Sequence, residues 1–179
     1  MISGSVGKHG KFRLWRNVYQ CSHCEISNDR AAYGSCVDIN NLVLEIMISR
    51  GARVLYGMLG VTYSPSETEA VGVDDLKSKI NLFSENEDYL VKGFDSVYVG
   101  LPKNYANAAM DGFRRAFLDG VEVELSRLQI FYAAYGDISS SEQVFEKIGF
   151  VSANLIAGSC SGNFEESINF MLEGNPKEK

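Results

Sequence analysis

The chain has 179 residues, of which 45% are apolar and 22% charged, and a formal net charge of −6. That length supports one domain with its own core, and the composition excludes the disordered, collagen-like and disulfide-scaffold classes. No apolar run reaches membrane-spanning length and no signal-peptide pattern appears, so no membrane partner and a cytoplasmic location are expected. The charge is uneven. Residues 1–24 hold Lys8, Lys11, Arg13 and Arg16 and no acid, whereas the other residues hold 13 basic and 23 acidic groups. An acidic body repels phosphate backbones, so any RNA contact would need a local basic face.

Residues 10–20, GKFRLWRNVYQ, predict a strand with aromatics interleaved among basic residues. Lys8, Lys11, Arg13, Trp15 and Arg16 are therefore the candidate basic strand for RNA, through stacking and charge, although strand aromatics commonly serve packing. Residues 21–36 read as a loop holding Cys21, Cys24 and Cys36, with Cys160 far along the chain. The stretch CSHC has the spacing of half a zinc site around His23. A closed site needs four ligands and no second C-x-x-C pair exists, although Cys36 and Cys160 could converge in space; no metal is assigned and free thiols are the default.

The next run, DINNLVLEIMISRG, predicts an extra N-terminal helix. Asp38 suits its N-cap, Ile39, Leu42, Val43, Ile46 and Met47 form an apolar stripe, and Gly51 supplies the stop. ARVLYGMLGVTY then predicts a central strand, with Gly57 and Gly60 marking bulges or close approaches. Residues 64–88 are acidic and turn-rich, an exposed loop followed by a short helix or strand. YLVKGFDSVYVG predicts another strand.

A helix follows in GLPKNYANAAMDGFRRAF. Pro102 fits a first turn, where its missing N–H costs nothing. Tyr105, Ala108, Gly112 and Ala116 share one face, and such small residues let a helix lie close to a sheet. Gly112 costs about 1 kcal/mol in helix propensity relative to Ala, which close backbone approach would offset. VEVELSRLQIFYAA predicts a strand with a phase shift near Ser126, read as a bulge. SSSEQVFEKIGFVSANLIAG predicts a helix to about Ile156, opened by a capping box of Ser139 and Glu142. A last short helix, NFEESINFMLEG, would turn Phe164, Ile168, Met171 and Leu172 inward.

These elements give an α+β fold with helices on one face of a sheet. The division expected is residues 1–51 as an N-terminal elaboration, 52–160 as the main module and 161–179 as a C-terminal helix and tail.

Two of these stretches resemble domain IV of the translation elongation factor G family. Pro102, Tyr105, Ala108, Gly112 and Ala116 match the spacing of its helix signature. Asp137, Ser140, Ser141, Glu142, Phe145 and Gly149 match its second motif, DISSSEQVFEKIG here. The resemblance covers residues 85–157, with Gly136 standing where the family usually has histidine. It implies a two-layer sandwich of a mixed four- or five-stranded sheet with a left-handed βαβ crossover. It also implies a contact tip just before the second helix, here Tyr135, Gly136, Asp137 and Ser139. No G-x-x-x-x-G-K-[ST] loop is present, so no nucleotide partner is expected.

The function implied is a non-catalytic, translation-associated module that binds the ribosome or RNA. The alternative is a module for protein contact or homodimerisation, which the acidic 64–88 stretch suits. No enzyme activity and no cofactor are expected. His9 and His23 have no nucleophile motif beside them, and Ser139, Ser140 and Ser141 are explained by helix capping.

Overall fold

A computed structural model describes residues 1–8, 10–20, 37–63, 89–121, 125–158 and 164–173. The strands are β1 (Ile2–Val6), β2 (Gly10–Gln20), β3 (Val37–Arg50), β4 (Arg53–Tyr63), β5 (Val97–Val99) and β6 (Leu128–Gly136). The helices are α1 (Lys103–Leu118), α2 (Glu142–Ile156) and α3 (Phe164–Glu173). The strands form one six-stranded sheet in the order β1-β2-β3-β4-β6-β5, and every neighbouring pair is antiparallel.

The fold is α+β, with three corrections to the expected strands and helices and one, below, to their packing. The expected N-terminal helix is strand β3. It pairs with β2 from Lys11↔Met47 to Gln20↔Val37 and with β4 from Asn41↔Thr62 to Arg50↔Arg53. Leu42, Leu44 and Ile46 are buried on one face of β3 and Val43 and Met47 on the other, so the apolar run is continuous. Such a run satisfies helical spacing and two-sided strand burial alike, and the flanking ladders decide for the strand. Gly51, at φ 61°, sits in the tight hairpin between Arg50 and Arg53 instead of ending a helix.

Second, the sheet has six strands instead of four or five, and among the described residues no ladder is parallel. β4 and β5, both antiparallel to β6, run in the same direction on either side of it. Third, the strand expected over residues 89–100 is confined to Val97–Val99. Residues 90–94 turn, closed by Lys92 N–H to Tyr89 O (3.0 Å) and Phe94 N–H to Val91 O (2.9 Å), with Gly93 at φ 83°.

One side of the sheet packs against helices. Phe12, Leu14, Leu42, Leu44, Ile46, Leu59 and Val61 meet Val144, Phe145, Ile148 and Val151 of α2 and Ile168 and Leu172 of α3 in one buried cluster. Gly57 of β4 makes room for α2, since a Cβ there would stand 2.7 Å from Ile148 Cδ1 and 2.9 Å from Val144 Cγ1. The ladder of β4 with β6 shifts register at Gly60/Val61, so both glycines act as expected. The phase shift near Ser126 is a short 3₁₀ turn, Leu125–Arg127. The opposite side of the sheet holds a second cluster of Trp15, Val43, Tyr56, Met58, Val91 and Ala134.

The small face of α1 contradicts its expected partner. A Cβ at Gly112 would run into the backbone of Glu146 and Phe150, and one at Gly149 into the backbone of Ala109. The close backbone approach at Gly112 is to α2 and not to the sheet, which this face of α1 meets through Tyr105 against Tyr135 of β6; α2 lies on β3 and β4. Among the described residues, no helix is long and apolar enough to cross a membrane.

Candidate functional site

The end of the sheet where β6 runs into α2 carries the candidate tip. Tyr135 and Gly136 are the last residues of β6 and pair with Tyr98 and Val97 of β5. Tyr135 packs between Tyr98 (ring centroids 5.6 Å apart) and Tyr105 of α1 (5.8 Å), and Tyr105 stacks on Phe145 of α2 at 4.9 Å. This aromatic series ties both helices to the sheet end. Gly136 must be small, because a Cβ there would meet Ser139 Oγ and Asp95 Oδ2.

Asp95 organises the loop that follows. Its Oδ2 accepts hydrogen bonds from Ile138 N–H (3.0 Å), Ser139 N–H (2.8 Å) and Ser139 Oγ–H (2.6 Å), and its Oδ1 accepts one from Ser96 N–H (2.8 Å). Burial would raise the Asp95 pKa, but the donors from Ser139, Ile138 and Ser96 outweigh it and hold the carboxyl below its ordinary value. Asp137 donates its N–H to Ser96 O at 3.0 Å, and its side chain is exposed.

The serines are committed to this architecture. Ser140 Oγ donates to Tyr56 O at 2.7 Å and accepts from Gly136 N–H at 2.8 Å. Tyr56 N–H donates to Ser139 O at 2.9 Å. The expected capping box is therefore not made: Ser141 is the N-cap of α2 without a side-chain cap bond, and Ser139 is turned to Asp95. A carboxylate with free lone pairs beside the loop offers Ser139 a charge-assisted bond, stronger than a neutral cap.

Around this loop opens a groove of about 910 Å³, lined by Arg53, Val54, Leu55, Phe94, Ile138 and Glu142 among others. Phe94 is 70% exposed and Ile138 86% exposed. Two large apolar side chains held out at a groove mouth are unusual in position, though single exposed apolar residues are common. Arg53 brings positive charge to the same groove, and Asp95 and Glu142 bring negative.

The basic strand behaves differently from the tip. Lys8 and Lys11 are exposed and Arg16 is half-buried. Arg13 and Trp15 are buried on the sheet face away from the helices. Arg13 Nε lies 2.7 Å from Glu45 Oε2, and its guanidinium carbon sits 5.7 Å from the Trp15 ring centre. Glu45, 1% exposed, also accepts from Tyr56 O–H (3.1 Å) and Leu90 N–H (2.8 Å). Burial pushes the Glu45 carboxyl up, while Leu90, Arg13 and Tyr56 pull it down less strongly. Tyr56 and Tyr132 are pushed far up, first by burial and then by the neighbouring acid and hydroxyl groups.

The structure thus gathers Tyr135, Gly136, Asp137 and Ser139 at one end, and does not bring Lys8, Lys11, Arg13, Trp15 or Arg16 into the groove lining. Sequence reasoning missed Asp95, Phe94, Ile138 and Arg53. The signal for Asp95 was the turn chemistry of G-F-D-S between apolar runs, where an aspartate accepts nearby backbone N–H groups. His9, the CSHC stretch, all four cysteines, residues 64–88 and residues 122–124 lie outside the described residues. Set beside known protein families, characterised proteins and solved structures, the chain matches none of them.

Proposed function

We propose that the chain is a non-catalytic binding module whose contact surface is the tip groove, and that the contact is with a protein. The observation that carries this is the pair Phe94 and Ile138, exposed at the groove on two segments that Asp95 ties together through three hydrogen bonds to Ile138 and Ser139. A rigid loop presenting apolar side chains loses little conformational entropy on docking, which favours recognition. The engagement of Ser139 and Ser140 as structural donors supports a non-catalytic role.

A second reading is the ribosome as the partner. The resemblance of residues 102–116 and 137–149 to elongation factor G domain IV supports it, because that family's contact tip falls on residues 135–139 here. The two-layer arrangement and the left-handed crossover of that domain are proposed on the same ground. RNA contact through the strand at 8–16 is less favoured, since Arg13 and Trp15 are committed inside the protein.

The test is capture of partners from lysate with the full chain and with F94S/I138S, which removes exposed apolar surface without touching the core. A protein retained by the parent and lost from the variant is expected. Partners held equally by both would overturn the tip as the contact surface. Salt-sensitive cosedimentation with ribosomes, lost in the same variant, is the outcome expected of the second reading.

A further inference from the structure

Three features stand out: the exposed Tyr98 and Val99 on β5, the N-terminus of α2 at the groove, and the buried ion pair beneath residues 89–97. The third carries an inference. Residues 89–97 cross the sheet face opposite α2 and α3 and lead into β5. Val91 is fully buried in the cluster with Trp15, Tyr56 and Met58, and Tyr89 meets Tyr56 edge-on at 6.4 Å. Two carboxylates hold the segment. Near its start, Leu90 N–H reaches Glu45; near its end, Asp95 grips Ile138 and Ser139. Phe94 lies between these two attachments.

We propose that residues 89–97 are a strap latched to the sheet by Glu45, and that the Arg13–Glu45 pair is a positioning anchor for Phe94 at the tip groove. Its bearing on binding rests on the tip being the contact surface; the latch itself does not. A buried ion pair is weak evidence for net stability, because desolvating two charges offsets their attraction. Here the pair has a second consequence. Arg13 holds the Glu45 carboxylate in one orientation, its Oε2 toward the guanidinium, which leaves Oε1 for Tyr56 O–H and Leu90 N–H. Without that acceptor, Leu90 N–H would be left unsatisfied beneath the strap, and such a group favours local opening toward water.

The experiment compares the parent with R13M/E45M and R13M/E45Q by amide hydrogen exchange, read segment by segment. Apolar replacement of both charges keeps the sheet folded, while the side-chain amide introduced by E45Q retains an acceptor for Leu90 N–H. The expected result for R13M/E45M is exchange in residues 90–96 faster by about tenfold, the worth of one lost buried hydrogen bond, with β3 and α2 unchanged. In R13M/E45Q the strap's protection should return only in part, because the amide keeps an acceptor for Leu90 N–H but lacks Arg13 to orient it. Full return would overturn the role of Arg13. Equal exchange of the strap in all three proteins, or acceleration shared equally by β3 and α2, would overturn the latch. Should the double variants not fold, exchange of the parent at rising urea decides. A strap that opens below the global transition supports the latch, and one that opens only with β3 overturns it. A strap released as expected, with partner capture by the parent still absent, would count against the tip as contact surface and not against the latch.

Discussion

Gly112 of α1 and Gly149 of α2 are reciprocal: each leaves room for the other helix's backbone, Gly112 for Glu146 and Phe150, Gly149 for Ala109. The atoms a Cβ would strike are main-chain atoms, which cannot swing aside as a side-chain end can. Helix propensity alone says that Gly112→Ala stabilises by about 1 kcal/mol. The crossing says the opposite. We expect G112A to destabilise by about 3 kcal/mol through forced separation of the helices. Urea denaturation measures it, and a raised midpoint would show that the helices can part cheaply.

Asp95 is predicted to matter through its charge. Its folded pKa is lowered, so its contribution to stability is present above the ordinary value of 3.8 and is lost as pH falls through the folded value. The parent should therefore lose stability in that acid window relative to D95N. At neutral pH, D95N should cost about 2 kcal/mol, because an amide is a weaker acceptor for these donors. Thermal melts of both proteins from pH 7 down to pH 3 test the sign.

Ser140 is predicted to be structural. Its hydroxyl joins Tyr56 O to Gly136 N–H, stitching β4 to the end of β6. S140A leaves a donor and an acceptor without their partner and should cost about 2 kcal/mol. S140T, which keeps the hydroxyl, should restore part of that. Equal melting temperatures for S140A and the parent would mean that water replaces the bridge.

Glu45 should show the opposite pH sign to Asp95. Burial raises its folded pKa above the ordinary value of 4.5, so the stability it contributes is fullest at acid pH and declines as pH rises through the folded value. The parent should lose stability relative to E45Q over that rise. Trp15, the one tryptophan of the chain, lies beside Arg13, so its emission reports the transition locally.

Much of the fold was legible because its patterns had a single reading. The run at 53–63 is flanked by turns and lacks caps, so it reads as a strand, and it is one. Helices α1, α2 and α3 fall within a few residues of their expected bounds, since Pro102, the serine run before Glu142 (expected to cap from Ser139, observed from Ser141) and the spacing of Ile168 and Leu172 are local signals. The strand Val37–Arg50 was illegible for a physical reason: over residues 41–48 it is buried on both faces, and such a strand loses its alternation. The tip was legible at Tyr135, Gly136, Asp137 and Ser139 only through a family resemblance. Asp95 and Phe94 lie more than forty positions from Ser139, and only the pairing of β5 with β6 joins them.

The sequence by itself therefore determined the class of the protein, three of its helices and the amphipathic faces they bury, because those follow from spacing along one segment. Tertiary structure decided which surface each face meets. It turned the small face of α1 toward α2, since two glycines in different helices admit mutual backbone approach. It also drew Arg13 inward, because Glu45 stands directly opposite on the neighbouring strand and a buried charge must be paired.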